Sequence, residues 1–148
     1  MLQTPQFING GSFNDERGSL SFVNHFSLDD VKRLYHIQPA NTEIVRAWQG
    51  HKFEQKWFYV VAGSFKIVVV KPSGWENPIH IHNLYEYTVT ELTGILHIPG
   101  GYANGFKALE PNSKLIVFSD FSVEQSAADE CRFDKQLWYD WKKNEKYD

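Results

Sequence analysis

An all-β sandwich or barrel closed by a short C-terminal helix is the architecture this sequence predicts. Three observations lead there. From the thirties to about residue 121 the chain breaks into short apolar, β-branched segments separated by turn residues, the pattern of many short strands. Aromatic residues make up 16%, with 5 Trp, 7 Tyr and 11 Phe against a single Met, a bias that favours strands and the walls of concave sites. The length of 148 residues suits a single domain, 1–148, and no linker, internal repeat or low-complexity stretch divides it.

Taken in order, Ser27-Leu28-Asp29-Asp30 suggests a helical turn ahead of the first long strand, Val31 to Ile37, which ends at the turn cluster Gln38-Pro39-Ala40-Asn41. Glu43 to Trp48 reads as the next strand. Gln55 to Val61 and Ser64 to Val70 flank Ala62-Gly63, a compact hairpin signal. The run Phe65-Lys66-Ile67-Val68-Val69-Val70 is too apolar to alternate cleanly, which predicts cover on both faces. Lys71 to Leu84, with its Pro, Gly and Asn residues, reads as a long loop. Glu86 to Leu92, Ile95 to Ile98, Ala103 to Leu109 and Lys114 to Phe121 complete the strands. Asp134 is placed to cap a helix over about 135–143, with Leu137, Trp138 and Trp141 on one side.

Composition excludes several function classes. Hydrophobic residues at 42% and charged residues at 22% are ordinary for a folded domain and too apolar for disorder. A net charge of -3 offers no reason to expect nucleic acid or an acidic membrane as partner. Cys131 is the single cysteine, so no internal disulfide framework exists. No stretch approaches the roughly 18 apolar residues of a membrane helix. The opening Met-Leu-Gln-Thr-Pro-Gln-Phe lacks a basic region followed by an apolar one. The expectation is a soluble, cytoplasmic domain.

Six histidines draw attention first. His80 and His82, two apart, would share a face on a strand, and with Gly74 and Glu86 they imitate the first metal motif of the cupins. Only seven residues separate Glu86 from Gly94, too few for the strands that part the two cupin motifs, and His80 follows a Pro/Gly-rich loop. A metal-dependent cupin using His80, His82 and Glu86 is therefore a minor alternative, and no metal is assigned. A better register begins at Arg46, where Gln49 and His51 occupy the His-x-His positions, Gln55 falls near the acidic ligand and Gly63 is the closing glycine. The stretch from Gly63 to the Pro99 turn is long enough for the missing strands. This register fits the cupin double-stranded β-helix (jelly roll), while Gln49, Gln55 and Asn104 leave too few ligands for a metal.

In this register Arg46-x-x-Gln49-x-His51-Lys52, followed by Gly63-Ser64-Phe65-Lys66-Ile67, resembles the dTDP-sugar 3,4-ketoisomerases. Asp15-Glu16-Arg17-Gly18, Gln55-Lys56 and Ile98-Pro99-Gly100-Gly101-Tyr102-Ala103-Asn104-Gly105-Phe106 are similar to segments of the dTDP-4-dehydrorhamnose 3,5-epimerases. The likeness runs in consistent order over roughly residues 13–134.

The resemblance implies a metal-free, cofactor-free cupin, a homodimer, acting on a nucleotide-diphosphate 4-keto-6-deoxy sugar in deoxysugar or surface-polysaccharide synthesis. Carried over residue by residue, it implies that Arg46 grips the diphosphate and that Arg17 contacts nucleotide, even across a dimer interface. His51 would be the acid/base, Lys56 would stabilise an enolate, and Tyr102 and Tyr35 would be proton donors or wall residues. Lys52, Gln49, Asn104 and the flat aromatics Trp48 and Trp57 would complete substrate binding. Gln49 and Asn104 stand where the relatives place histidines, and an amide is no base near neutral pH. A catalytically silent nucleotide-sugar-binding or regulatory cupin is accordingly the alternative.

Overall fold

The computed structural model describes residues 3–142. Twelve strands and one helix follow each other: β1 (Gln6–Asn9), β2 (Gly11–Asp15), β3 (Gly18–Phe22), β4 (Arg33–Ile37), β5 (Val45–His51), β6 (Lys56–Ala62), β7 (Ser64–Pro72), β8 (Ile81–Thr90), β9 (Gly94–Ile98), β10 (Tyr102–Ala108), β11 (Lys114–Ser119), α1 (Val123–Asp129) and β12 (Glu130–Arg132). They form two five-stranded sheets, ordered β1-β9-β6-β11-β4 and β12-β5-β10-β7-β8, with the hairpin β2-β3 standing apart.

The pairing explains the topology. β4 pairs with β11, β5 with β10, β6 with β9 and β7 with β8, all antiparallel. A long hairpin centred on the β7–β8 turn is thus rolled so that successive pairs lie in alternate sheets, which is the jelly roll predicted from sequence. At the β6–β7 turn Gly63 has φ 70°, and a Cβ there would sit 2.1 Å from Ser113 Oγ, so only glycine fits.

Alternation fills the space between the sheets. Phe58 and Val60 of β6, Leu96 and Ile98 of β9 and Leu115 and Val117 of β11 meet Phe65, Ile67 and Val69 of β7 and Phe106 of β10 in one buried cluster. Val68 and Val70, the other half of the unbroken β7 run, point outward and join Trp48 and Ala103 in a second cluster. Phe133, Leu137, Trp138 and Trp141 cover it. Burying each valine there stabilises the fold by about 1.5–3 kcal/mol relative to exposure. The expectation that β7 is covered on both faces is met.

The C-terminal helix is displaced from its expected place. Residues 134–142 run as turns, and residue 143 lies outside the described residues. Asp134 does cap, but only a turn: its carboxylate accepts from Gln136 N at 2.8 Å. Trp138 then takes φ 69°, which breaks helical continuation. Tertiary contacts explain this. Trp138 Nε1 donates to Ile79 O at 2.9 Å, Trp48 Nε1 donates to Leu137 O at 2.9 Å, and the Trp138 and Trp141 rings lie 5.4 and 5.6 Å from Trp48. Among the described residues the one helix forms instead at α1, where Ser122 and Gln125 make a reciprocal capping box. Among the described residues no helix is long and apolar enough to cross a membrane.

Candidate active site

A cavity of about 470 Å³ opens between the two sheets. β4 contributes Arg33 and Tyr35, β5 contributes Arg46 and Gln49, β10 contributes Asn104, and β12 contributes Arg132; Phe58, Phe106 and Val117 form its apolar wall. Arg46 and Gln49 are three apart and would not normally share a strand face. A bulge brings them together: Asn104 opposes Gln49 while Phe106 opposes Arg46, so the β5 strand holds one residue more than β10 over this span. Asn104 and Phe106 share the inner face, and their partners therefore line the cavity with them. Gly105, between them, faces outward, where a Cβ would lie 2.6 Å from Ala47 Cβ and 2.8 Å from the Trp141 ring.

Behind Gln49 lies a buried polar cluster. His51, two residues along β5, is 3% exposed, Lys56 at the start of β6 is 3% exposed, and Glu54 in the loop between them is 2% exposed. His51 Nδ1 stands 3.2 Å from Glu54 Oε1 and 3.6 Å from Asp129 Oδ2. These are ion-pair distances off the hydrogen-bonding direction, so among the described residues neither ring nitrogen has a hydrogen-bond partner. Glu54 Oε2 accepts from Ser119 Oγ at 2.6 Å and from the Arg33 guanidinium at 3.3 Å. The loop carrying Glu54 is fixed by Asp129, whose carboxylate accepts from the backbone N–H groups of Lys52, Phe53 and Glu54 at 3.2, 3.0 and 2.9 Å.

Lys56 Nζ donates to Gln49 Oε1 at 2.7 Å, and Gln49 Nε2 donates to Glu130 Oε1 at 3.0 Å. Glu130 also pairs with Arg132. Burial lowers the Lys56 ammonium from its ordinary value to about 8, against the upward pull of Glu54. His51 is pushed down, first by burial and then by the Lys56 charge, which keeps the imidazole neutral near neutral pH. Burial raises the Tyr35 phenol to about 12, so it stays a proton-bearing donor, with the Arg33 guanidinium carbon 5.0 Å from its ring centre.

The residues expected from the sequence divide into two groups. Tyr35, Arg46, Gln49, His51, Lys56 and Asn104 come together at or directly behind the cavity. The others fall elsewhere. Trp57 lies on the outer face of β6, stacked on His97 at 4.9 Å and beside Phe26. Only part of Trp48 borders the cavity, its indole being locked against the C-terminal segment. Tyr102 donates its hydroxyl to Gln3 O at 2.9 Å, which commits that proton. Lys52 is exposed. Arg17 stands at the tip of the β2–β3 hairpin, 82% exposed and paired with Asp15. His80 and His82 are exposed, Glu86 binds Lys66 Nζ at 3.0 Å, and no metal-holding group of three such side chains gathers among the described residues.

Sequence reasoning missed Arg33, Glu54, Asp129, Glu130 and Arg132. Arg33 had a usable signal, since it precedes Tyr35 by two on one strand and must share its face. The acidic pair Asp129 and Glu130 had none, because their place depends on α1 returning the chain to β5.

No family model matches the chain, and no curated protein matches it by sequence. Solved structures do. The WlaRB TDP-quinovose 3,4-ketoisomerase from Campylobacter jejuni superimposes with a TM-score of 0.69 at 20% identity, over 89% of this chain and 95% of that one. QdtA, a sugar 3,4-ketoisomerase from Thermoanaerobacterium thermosaccharolyticum in complex with TDP, gives 0.68 at 18% identity over 90% of each chain. The RmlC epimerase of Mycobacterium tuberculosis gives 0.73 at 20% identity, over 93% of this chain and 74% of that one. The chain therefore has the jelly-roll fold shared by 3,4-ketoisomerases and a sugar epimerase of known structure.

Proposed function

We propose that the protein is an isomerase or epimerase of a nucleotide-diphosphate 4-keto-6-deoxy sugar. One observation carries the reading: the His51 imidazole and the Lys56 ammonium, each 3% exposed, lie behind the wall of a cavity bearing Arg33, Arg46 and Arg132. Guanidinium groups suit diphosphate oxygens, and the fold shared with a ketoisomerase solved in complex with TDP supports the same substrate class.

The chemistry balances without a co-reactant. The His51 imidazole takes the proton from the carbon beside the ketone. The C–H electron pair forms a carbon–carbon double bond, and the carbonyl pair moves onto oxygen as an enolate. The Lys56 ammonium, the Tyr35 hydroxyl and the Asn104 amide are the donors available to that oxygen. Returning the proton to the opposite face of the same carbon is epimerisation. To move the ketone instead, the C3 hydroxyl gives up its proton as the enolate oxygen on C4 takes one, and the His51 imidazolium returns its proton to C4, leaving a C3 ketone, a C4 hydroxyl and a neutral imidazole. Gln49 is no base, so a single imidazole favours ketoisomerisation over epimerisation at two carbons.

A second reading has its own support. Gln49 meets the cavity whereas His51 does not line it, and both ends of the Gln49 amide are engaged. A nucleotide-sugar-binding cupin without turnover fits that arrangement. Incubation with TDP-4-keto-6-deoxyglucose and product analysis by NMR separates the two: a new keto sugar supports the isomerase, whereas saturable binding with unchanged sugar supports the binding module.

Homodimer formation belongs to the same proposal. Phe13, Leu20 and Phe22 share one face of the β2–β3 hairpin and are 60%, 59% and 37% exposed. A second copy covering that face would also bring Arg17 against its neighbour. Sedimentation of the chain beside Phe13→Ser tests this, a dimer lost in the variant being the expected result and a monomeric wild type the contrary one.

A further inference from the structure

We propose that Glu130 is a positioning residue which acts through the Gln49 amide to fix the Lys56 ammonium behind the cavity. The inference rests on the isomerase reading for its consequence in turnover, and on geometry for the linkage itself.

An amide has two unlike ends. Glu130, when ionised, only accepts hydrogen bonds, and it takes the Gln49 Nε2 end at 3.0 Å. That turns Oε1 to the other side, where Lys56 Nζ, which only donates, lies at 2.7 Å. The reverse orientation would set the amide NH2 against an ammonium and its oxygen against a carboxylate, two repulsions in place of two charge-assisted bonds. The chain carboxylate–amide–ammonium crosses from β12 and β5 in one sheet to β6 in the other. Glu130 itself is anchored by Arg132. Burial works against its charge, but the Gln49 and Arg132 contacts outweigh it and hold the carboxyl below its ordinary value.

The linkage gives Gln49 a positive role. At a position that cannot exchange a proton, the amide transmits the orientation of a carboxylate at the sheet edge to the cation beside the imidazole. The groups facing Lys56 are Arg33 and Tyr35 from β4, His51 from β5, Glu54 from the β5–β6 loop, and Glu130 and Arg132 from β12. Among them Glu130 is the one joined to Lys56 through a hydrogen-bonded amide.

The test is a double-mutant cycle read on Lys56 in the substrate-free full chain. NMR of 13Cε-labelled lysine, assigned with Lys56→Met, follows its titration in wild type, Glu130→Gln, Gln49→Leu and the double variant, each first shown to unfold cooperatively. Wild type is expected to titrate near pH 8. Glu130→Gln removes the charge and frees the amide to flip, so the proton affinity of Lys56 falls at least threefold. In the Gln49→Leu background the same substitution has a clearly smaller effect, because the link is already cut. An unmoved titration overturns the proposal, and so does an equal effect in both backgrounds, which would mean a charge acting through space. If Glu130→Gln does not fold, Glu130→Asp, which keeps the charge and shortens the reach, substitutes for it with the same comparison. With substrate, the alkaline limb of kcat should follow the Lys56 titration in wild type and in each variant. Absence of turnover with the coupling intact sinks the isomerase reading alone. Turnover without coupling sinks this inference alone.

Discussion

The His51 Nδ1 and the Glu54 Oε1 stand 3.2 Å apart, both buried, in a loop whose three successive N–H groups are held by Asp129. The carboxylate faces one ring nitrogen, while the other, Nε2, is buried without a hydrogen-bond partner among the described residues. Because the Glu54 charge raises the proton affinity of His51, Glu54→Gln should shift the acid limb of kcat/KM to lower pH. Loss of the facing carboxylate should also lower kcat by roughly tenfold or more. Rate profiles from pH 5 to 9 check both; an unshifted acid limb would separate Glu54 from His51.

Lys56 gives a prediction with a definite sign. Its folded value of about 8 lies below the ordinary 10.5, so unfolding takes up a proton between those limits. Stability from this group therefore rises with pH across that interval. Urea denaturation of wild type and Lys56→Met should show the balance moving toward wild type between pH 8 and pH 10. A constant difference would mean that Lys56 titrates normally. If the ammonium is the proton donor, turnover should also fall above about pH 8.

Most of the fold was legible in the sequence, for physical reasons. Turn residues such as Gly63 and Pro99-Gly100-Gly101 punctuate strands whose alternation is enforced by a two-layer core, so β6, β7, β10 and β11 fall close to their expected limits. The tail was not legible. Its helical pattern in Leu137, Trp138 and Trp141 is real, but the demand to cover Trp48 and Val70 overrides it. The N-terminal strands were missed because β1 is only four residues long and β2 and β3 carry Gly, Ser, Asn and Asp with no β-branched residue. In the candidate site, His51, Lys56 and Arg46 were singled out through the family resemblance, and the fold brings them to or directly behind one cavity. Glu54 and Asp129 were not, since each depends on a contact between residues far apart in the chain.

Arg46 lines the cavity, and no carboxylate pairs with it in the described structure. On the proposed function, replacing it by Met removes a charged donor to the diphosphate, worth about 1.5–3 kcal/mol. The Kd for TDP should weaken by about 10- to 100-fold, with thermal stability little changed. Calorimetric titration measures it, and unchanged affinity would move the diphosphate site elsewhere.

Asp129→Ala should act on stability. It strips the acceptor from three loop N–H groups, of which the Glu54 N–H is part-buried, and a cost of about 1–3 kcal/mol follows. Urea midpoints measure that cost. Retained stability would show that the loop holds without its carboxylate.

The most direct test of the account is proton NMR of TDP-4-keto-6-deoxyglucose with the protein in deuterated water, run beside His51→Asn. The account predicts a ketone moved to C3 with deuterium entering at C4, and neither change in the variant. Exchange surviving in His51→Asn, or a sugar that binds wild type and never exchanges, would contradict it.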